Sequence, residues 1–135
     1  MKAVILAGGF GTRIREVADD IPKPMIQIGD YPIIVHIMKH YLKHGVNEFI
    51  ICLGYKGNVI KNFFSNFDIY TNNISIEFGE SKKIKFINQN DLIDCKVTLV
   101  DTGINSMTGS RISQISNFIS PNEDFCITYG DGLSN

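Results

Sequence analysis

The segment AVILAGGFGTRIREVADDIPKPM, residues 3–25, decides the fold. Its opening is apolar without alternation and stops at Gly8 and Gly9. That pattern predicts a strand over 2–7, buried on both faces as in a parallel sheet. The following GGFGTR lacks side chains at Gly8, Gly9 and Gly11, so backbone N–H groups can approach an anion and form a nest for phosphate oxygens. Arg13 and Lys23 add positive charge nearby. The loop is not a Walker A motif, since GGFGTRIR lacks the Gly-Lys-Ser/Thr ending. It is not the dinucleotide GxGxxG either, because Ile14 stands at the third glycine. Lys23 lies between Pro22 and Pro24, which predicts an extended, rigid backbone presenting one ammonium at low entropic cost. On these residues alone, a glycine turn without a ligand and a merely solvated lysine both remain open readings.

Working outward, the pattern alternates strand and helix. A helix is expected over 32–44, with Pro32 in its first turn, Gly45 as a left-handed stop, and Ile33, Ile34, Ile37, Met38, Tyr41 and Leu42 on one face. A second buried strand follows over 48–54, then a helix over 57–67 with Val59, Ile60, Phe63 and Phe64 inward. Shorter strands over 74–78 and 83–87 show period-two alternation. A strand over 96–103, a helix over 110–119 (Ile112, Ile115, Phe118 and Ile119 on one side) and a strand over 125–132 complete the series. Such alternation predicts an α/β fold: a Rossmann-like, mainly parallel sheet with flanking helices. Ligands of such sheets sit beyond the carboxyl ends of the strands, where Gly8, Gly9 and Gly11 fall.

The chain has 135 residues, room for one domain, and a net charge of −1, which gives no general attraction for nucleic acid or anionic membranes. Cys52, Cys95 and Cys126 form no CxxC pair and read as free thiols of a reducing compartment. The first apolar run is too short for a signal core or a membrane span, so a cytoplasmic protein is expected. His36, His40 and His44 recur every four residues on the first helix, a spacing that can bind a transition metal, but no Cys or Asp completes the set. A solvated helix edge is the better reading. Phe63, Phe64 and Phe67 are read as core and not as a stacking platform for nucleic acid.

KAVILAGGFGTRI and PKPM, in this order and spacing, resemble the N-terminal signature of the sugar-1-phosphate nucleotidyltransferases. FIICLGYKGNVIKNFF, TLVDTGINSMTGSR and FCITYGDG narrow the resemblance to the branch that joins CTP and glucose 1-phosphate to give CDP-glucose and pyrophosphate. The similarity runs through residues 1–135 and covers about the first half of such an enzyme. The resemblance therefore implies a nucleotide-diphospho-sugar transferase fold, truncated, with the C-terminal part of the domain absent. It implies that Leu6, Ala7, Gly8 and Gly9 line the base and sugar, that Gly11, Thr12 and Arg13 surround the triphosphate, and that Lys23 stands beside the reacting phosphates. Arg13 and Lys23 are the catalytic candidates. Ser106 and Arg111 match positions that help hold CTP, Gly130 matches a nucleotide contact, and Asp131 matches the first Mg²⁺ ligand. A homo-oligomer is expected. Two alternatives stand beside this reading: a nucleotide-binding portion that does not turn over, and the same chemistry with UTP or dTTP. On its own residues, Asp131-Gly132 reads rather as a turn after a strand than as a ligand, and Asp101, ending another strand, is either a ligand contact or a cap.

Overall fold

The computed structural model describes residues 1–8, 21–87, 94–103 and 108–130. Along the chain its elements are β1 (Lys2–Ala7), a 3-10 turn (Lys23–Met25), β2 (Gln27–Ile28), β3 (Tyr31–Pro32), α1 (Ile33–Lys43), β4 (Glu48–Leu53), α2 (Gly57–Ser65), α3 (Phe67–Thr71), β5 (Ile74–Glu77), β6 (Lys83–Phe86), β7 (Lys96–Asp101), α4 (Thr108–Gln114), a second 3-10 turn (Ser116–Phe118) and β8 (Phe125–Tyr129). β7, β4, β1 and β8 form one sheet in that order, all parallel. Residues of β1 face two partners: Ala3 lies opposite Phe49 and Cys126, and Leu6 opposite Cys52 and Tyr129. The chain steps from β1 to β4 to β7 on one side, then returns to set β8 on the other side of β1. The strand order thus reverses at β1, the position where open sheets of this kind form a ligand crevice beyond the carboxyl ends of the strands.

Alternation along β1 divides the interior. Ala3, Ile5 and Ala7 join Phe49, Ile51 and Leu53 on one face, against Ile34, Val35, Ile37 and Met38 of α1 and Ile60 and Phe63 of α2. Val4, Leu6, Ile50 and Cys52 lie on the other face against Ile115. Because both faces are covered, β1 and β4 carry no polar alternation. Each fully buried large side chain here contributes roughly 1.5–3 kcal/mol from leaving water.

Several boundaries differ from the sequence reading. α1 begins after Pro32, which is its cap (φ −61°, ψ 156°), and Gly45 takes the left-handed stop at φ 86°. The helix expected over 57–67 breaks at Asn66, whose side-chain amide donates to Asn62 O at 3.0 Å and to Asn62 Oδ1 at 2.9 Å; the chain then continues as α3. Val59, expected inward, is 37 % exposed. The helix expected over 110–119 ends at Gln114 and gives way to a 3-10 turn, which leaves Phe118 exposed while Ile115 is buried. Ser110, Ser113 and Ser116 in this stretch favour caps and turns over helix interior. β7 ends at Asp101; the next N–H, of Thr102, still donates to Leu53 O at 2.9 Å, and the Thr102 hydroxyl donates to the same oxygen at 2.9 Å. β8 stops at Tyr129, short of the expected 132. The β2–β3 hairpin, closed over Gly29 at φ 63°, is an addition to the expected elements. β5 and β6 form as expected strands, one residue shorter each, and pair antiparallel with each other, with Ile74 opposite Phe86 and Ile76 opposite Ile84.

Candidate nucleotide-binding site

A glycine follows each of the four parallel strands: Gly8 after β1, Gly54 after β4, Gly130 after β8, and Gly103 two residues beyond β7. At three of them a Cβ would press on a neighbour, hardest at Gly54, where the neighbours are backbone. A Cβ on Gly8 would overlap the Arg111 guanidinium. One on Gly54 would overlap the Gly8 carbonyl oxygen and lie 2.9 Å from Gly103 O. One on Gly130 would press within 3.2–3.4 Å of Ile5, Pro24 and Ala7. At Gly54 the neighbours are backbone, so the ends of β1, β4 and β7 come together main chain to main chain; at Gly8 and Gly130 they are chiefly side chains.

Hydrogen bonds tie these ends together. Gly8 O accepts from Arg111 Nη2 at 2.9 Å and from the Tyr55 N–H at 3.4 Å. The Gly130 N–H donates to Leu6 O at 3.0 Å, and Gln114 Nε2 donates to Thr102 O at 3.0 Å. Arg111 is only 6 % exposed, a buried charge held by hydrogen bonds at the root of the glycine loop. The Cys52 thiol lies close enough to feel it. Burial pushes that thiol up to about 11 and the guanidinium pulls it partly back, so at neutral pH it is a protonated core group and no nucleophile.

Of the expected site residues, Leu6, Ala7, Gly8, Lys23, Arg111 and Gly130 are described; Gly9, Gly11, Thr12, Arg13, Ser106 and Asp131 lie outside the described residues. Leu6 and Ala7 are buried with their side chains in the two cores, so only their backbone borders the crevice. Gly8 and Arg111 are in direct contact. Lys23 is not extended, contrary to the expectation from its prolines. It opens the 3-10 turn, with the Met25 N–H donating to Pro22 O at 2.9 Å and the Ile26 N–H to Lys23 O at 3.1 Å. Pro24 fits that turn because its missing N–H is not needed there. The turn packs beside the end of β8, through Pro24 against Gly130, so Lys23 belongs to the same end of the sheet.

Gly54, Tyr55, Thr102 and Gly103 also belong to this end, and sequence reasoning misses them. The available signal is a glycine at or just beyond the end of each parallel strand. Asp101 is bound to Lys61 at 2.6 Å, an exposed pair of the kind that contributes little stability. His36 Nε2 sits 2.6 Å from Ile28 O, and among the described residues no three His, Cys, Asp or Glu side chains gather as a metal site. Phe63 and Phe67 are core, as expected.

Residues 2–117 match the nucleotidyl transferase family model. The chain belongs to the nucleotidyl transferase family. It is 46 % identical over 134 residues to the glucose-1-phosphate cytidylyltransferase of Salmonella typhimurium, covering 99 % of this chain and 51 % of that protein. A probable glucose-1-phosphate cytidylyltransferase of Bacillus subtilis is 45 % identical over the whole chain, which covers 52 % of it. This nucleotidyl transferase chain thus spans about half the length of the curated relatives it matches. Among solved structures, HddC from Yersinia pseudotuberculosis complexed with GMP-PN superposes with a TM-score of 0.65 at 27 % identity, over 96 % of this chain and 47 % of that one. A UDP-glucose pyrophosphorylase complexed with UDP-glucose shares the fold, with a TM-score of 0.68 at 21 % identity over 96 % of this chain and 45 % of that one. The expected parallel sheet of the nucleotide-diphospho-sugar transferase type is the fold found. No helix among the described residues is long and apolar enough to cross a membrane.

Proposed function

We propose that this chain is the nucleotide-binding part of an enzyme that transfers a cytidylyl group from CTP to glucose 1-phosphate, releasing pyrophosphate and CDP-glucose. The observation that carries the reading is the 46 % identity to a glucose-1-phosphate cytidylyltransferase along 99 % of the chain. In this reading the backbone at Leu6, Ala7, Gly8 and Gly9 borders the base and sugar. Gly11, Thr12 and Arg13 surround the triphosphate, Ser106 and Arg111 help hold CTP, and Gly130 closes the opposite wall.

The attacking phosphate oxygen is already an anion, so no general base is required. The obstacle is the meeting of two polyanions, and the means are alignment and fixed positive charge. Arg13 offers a planar fork for phosphate oxygens, and Lys23 a compact point charge on a short, proline-braced turn. Asp131 follows Gly130, whose N–H is fixed to Leu6 O at the mouth of the crevice. Mg²⁺ takes one or two carboxylates together with phosphate oxygens, so Asp131 by itself is a weak ligand set that the phosphates would complete. Bound, the ion would neutralise phosphate charge. The protein is placed in the cytoplasm, as a homo-oligomer acting on small molecules.

The test is pyrophosphate release from CTP and glucose 1-phosphate with Mg²⁺, alongside thermal shift with CTP, UTP and dTTP. CTP-selective stabilisation with CDP-glucose formation supports the reading. Equal stabilisation by all three removes the cytidylyl assignment. Stabilisation by CTP without turnover favours a second reading, nucleotide binding alone, which the coverage of about half the relatives' length makes a specific alternative. Gly11→Val is expected to abolish CTP binding in a folded protein; unchanged affinity by calorimetric titration would take Gly11 out of the site.

A further inference from the structure

The turn between β4 and α2 is built against Gly8. Gly54 O accepts from the Gly57 N–H at 3.0 Å, closing a four-residue turn over Tyr55 and Lys56. Lys56 has φ 52° and Tyr55 is not among the residues of positive φ, so the turn is of the type II pattern. Two features direct it at the glycine loop. Gly54 has no Cβ, and one there would meet the Gly8 carbonyl oxygen, with Gly8 Cα and Gly103 O each at 2.9 Å. All three obstructions are backbone, so no side-chain rotation relieves them. The Tyr55 N–H then donates to Gly8 O at 3.4 Å, on the carbonyl that Arg111 also holds.

From this geometry we propose that Gly54 and the Tyr55 amide are positioning residues for nucleotide binding: they set the Gly8 peptide, and with it the root of the glycine loop. The proposal rests on the nucleotide-binding reading above. Neither residue needs to touch the nucleotide. Gly54 allows two strand ends to close to backbone contact, and the amide of Tyr55 orients the carbonyl that this closure presents. The physical ground is that affinity depends on how far a site is set before its ligand arrives.

The experiment titrates Mg·CTP into the full 135-residue chain and four variants, with thermal midpoints recorded in parallel. Gly54→Ala is expected to weaken CTP binding at least tenfold in a protein that still melts cooperatively. Gly79→Ala is the control: a Cβ at that glycine would meet nothing within 4 Å, so affinity and midpoint should both stay. Tyr55→Pro removes the amide donor at a turn position that suits proline, while Tyr55→Ala keeps the amide and loses only the ring. Proline is expected to bind CTP several-fold more weakly than alanine at this position. This pair decides the matter if Gly54→Ala does not fold. A lowered midpoint with unchanged CTP affinity in Gly54→Ala, or equal affinities for Tyr55→Pro and Tyr55→Ala, would overturn the proposal by making the turn purely structural. Absence of CTP binding in the unsubstituted chain would be seen separately; it would defeat the nucleotide reading, and the proposal would fall with it.

Discussion

The two faces of the central sheet are built to different depths. On one, α1, α2 and α3 cover Ala3, Ile5, Phe49, Ile51 and Leu53, and a further layer of half-buried apolar residues closes over them. On the other, Val4, Leu6, Ile50 and Cys52 rest on Ile115, with Val100, Ile119 and Phe125 at the margins. β8 shows the contrast within one strand. Cys126 packs with the first face, whereas Ile127 and Tyr129, opposite Val4 and Leu6, are 45 % and 61 % exposed. Among the described residues, the same hydrophobic pattern therefore yields a full core where three helices dock and a thinner one where one short helix does. Apolar sequence is a condition for burial; the covering element decides it.

The largest expected effect follows from that depth. Phe49→Ala empties a fully buried site on the thick face and should cost about 3–5 kcal/mol, whereas Ile127→Ala on the open face should cost less than about 1 kcal/mol. Urea unfolding of the two variants measures the gap. Equal losses would show that the second face is as well packed as the first.

Ile115→Ala sharpens the comparison. Ile115 is fully buried at the junction between α4 and the following 3-10 turn. Among the described residues it is the one buried member of the second cluster contributed from outside β1 and β4. Its loss should cost about 2–3 kcal/mol, toward the lower part of the range for such truncations, because a thinly covered face can relax into the space. A midpoint shift matching that of Phe49→Ala would contradict the difference in depth.

These residues also show what a sequence can disclose. β1 and β4 are legible because strands buried on both faces leave no polar alternation to misread. Gly8 and Gly54 are legible as strand ends, but their packing against each other is not, since it depends on which strands become neighbours. Lys23 departs from expectation for a related reason. The proline after it disfavours helical backbone locally, yet the turn's own hydrogen bonds and the seat of Pro24 beside Gly130 outweigh that preference. Val59 and Phe118 carry helical periodicity and are nevertheless exposed. In each case local chemistry predicts the element, and the missing information is the partner.

The smallest effect concerns what holds the thin face's covering segment in place. Lys2 Nζ donates to Phe118 O at 2.8 Å and pairs with Glu123 at 3.2 Å and Glu48 at 3.5 Å, so one ammonium at the amino end of β1 fastens the crossover that follows α4. The Ser120 amide and then Lys2 hold the Glu123 carboxyl below its ordinary value of 4.5, while Glu123 foremost holds the Lys2 ammonium above 10.5. The signs follow from linkage. A depressed carboxyl contributes stability above its unfolded value and loses it as pH falls through the lower folded value. A raised ammonium contributes below its unfolded value and loses it as pH rises through the higher folded one. Stability from this pair should therefore be flat between those limits and fall at both ends. Lys2→Met should flatten the alkaline limb and part of the acid limb, leaving the Ser120 share of the latter. The difference should be small and should shrink with added salt, because the groups lie at the surface, partly exposed. Denaturant midpoints of the two proteins across both limbs measure it. Superimposable pH profiles would mean that Ile115 alone anchors the segment and that the ion pairs add nothing to the thin face.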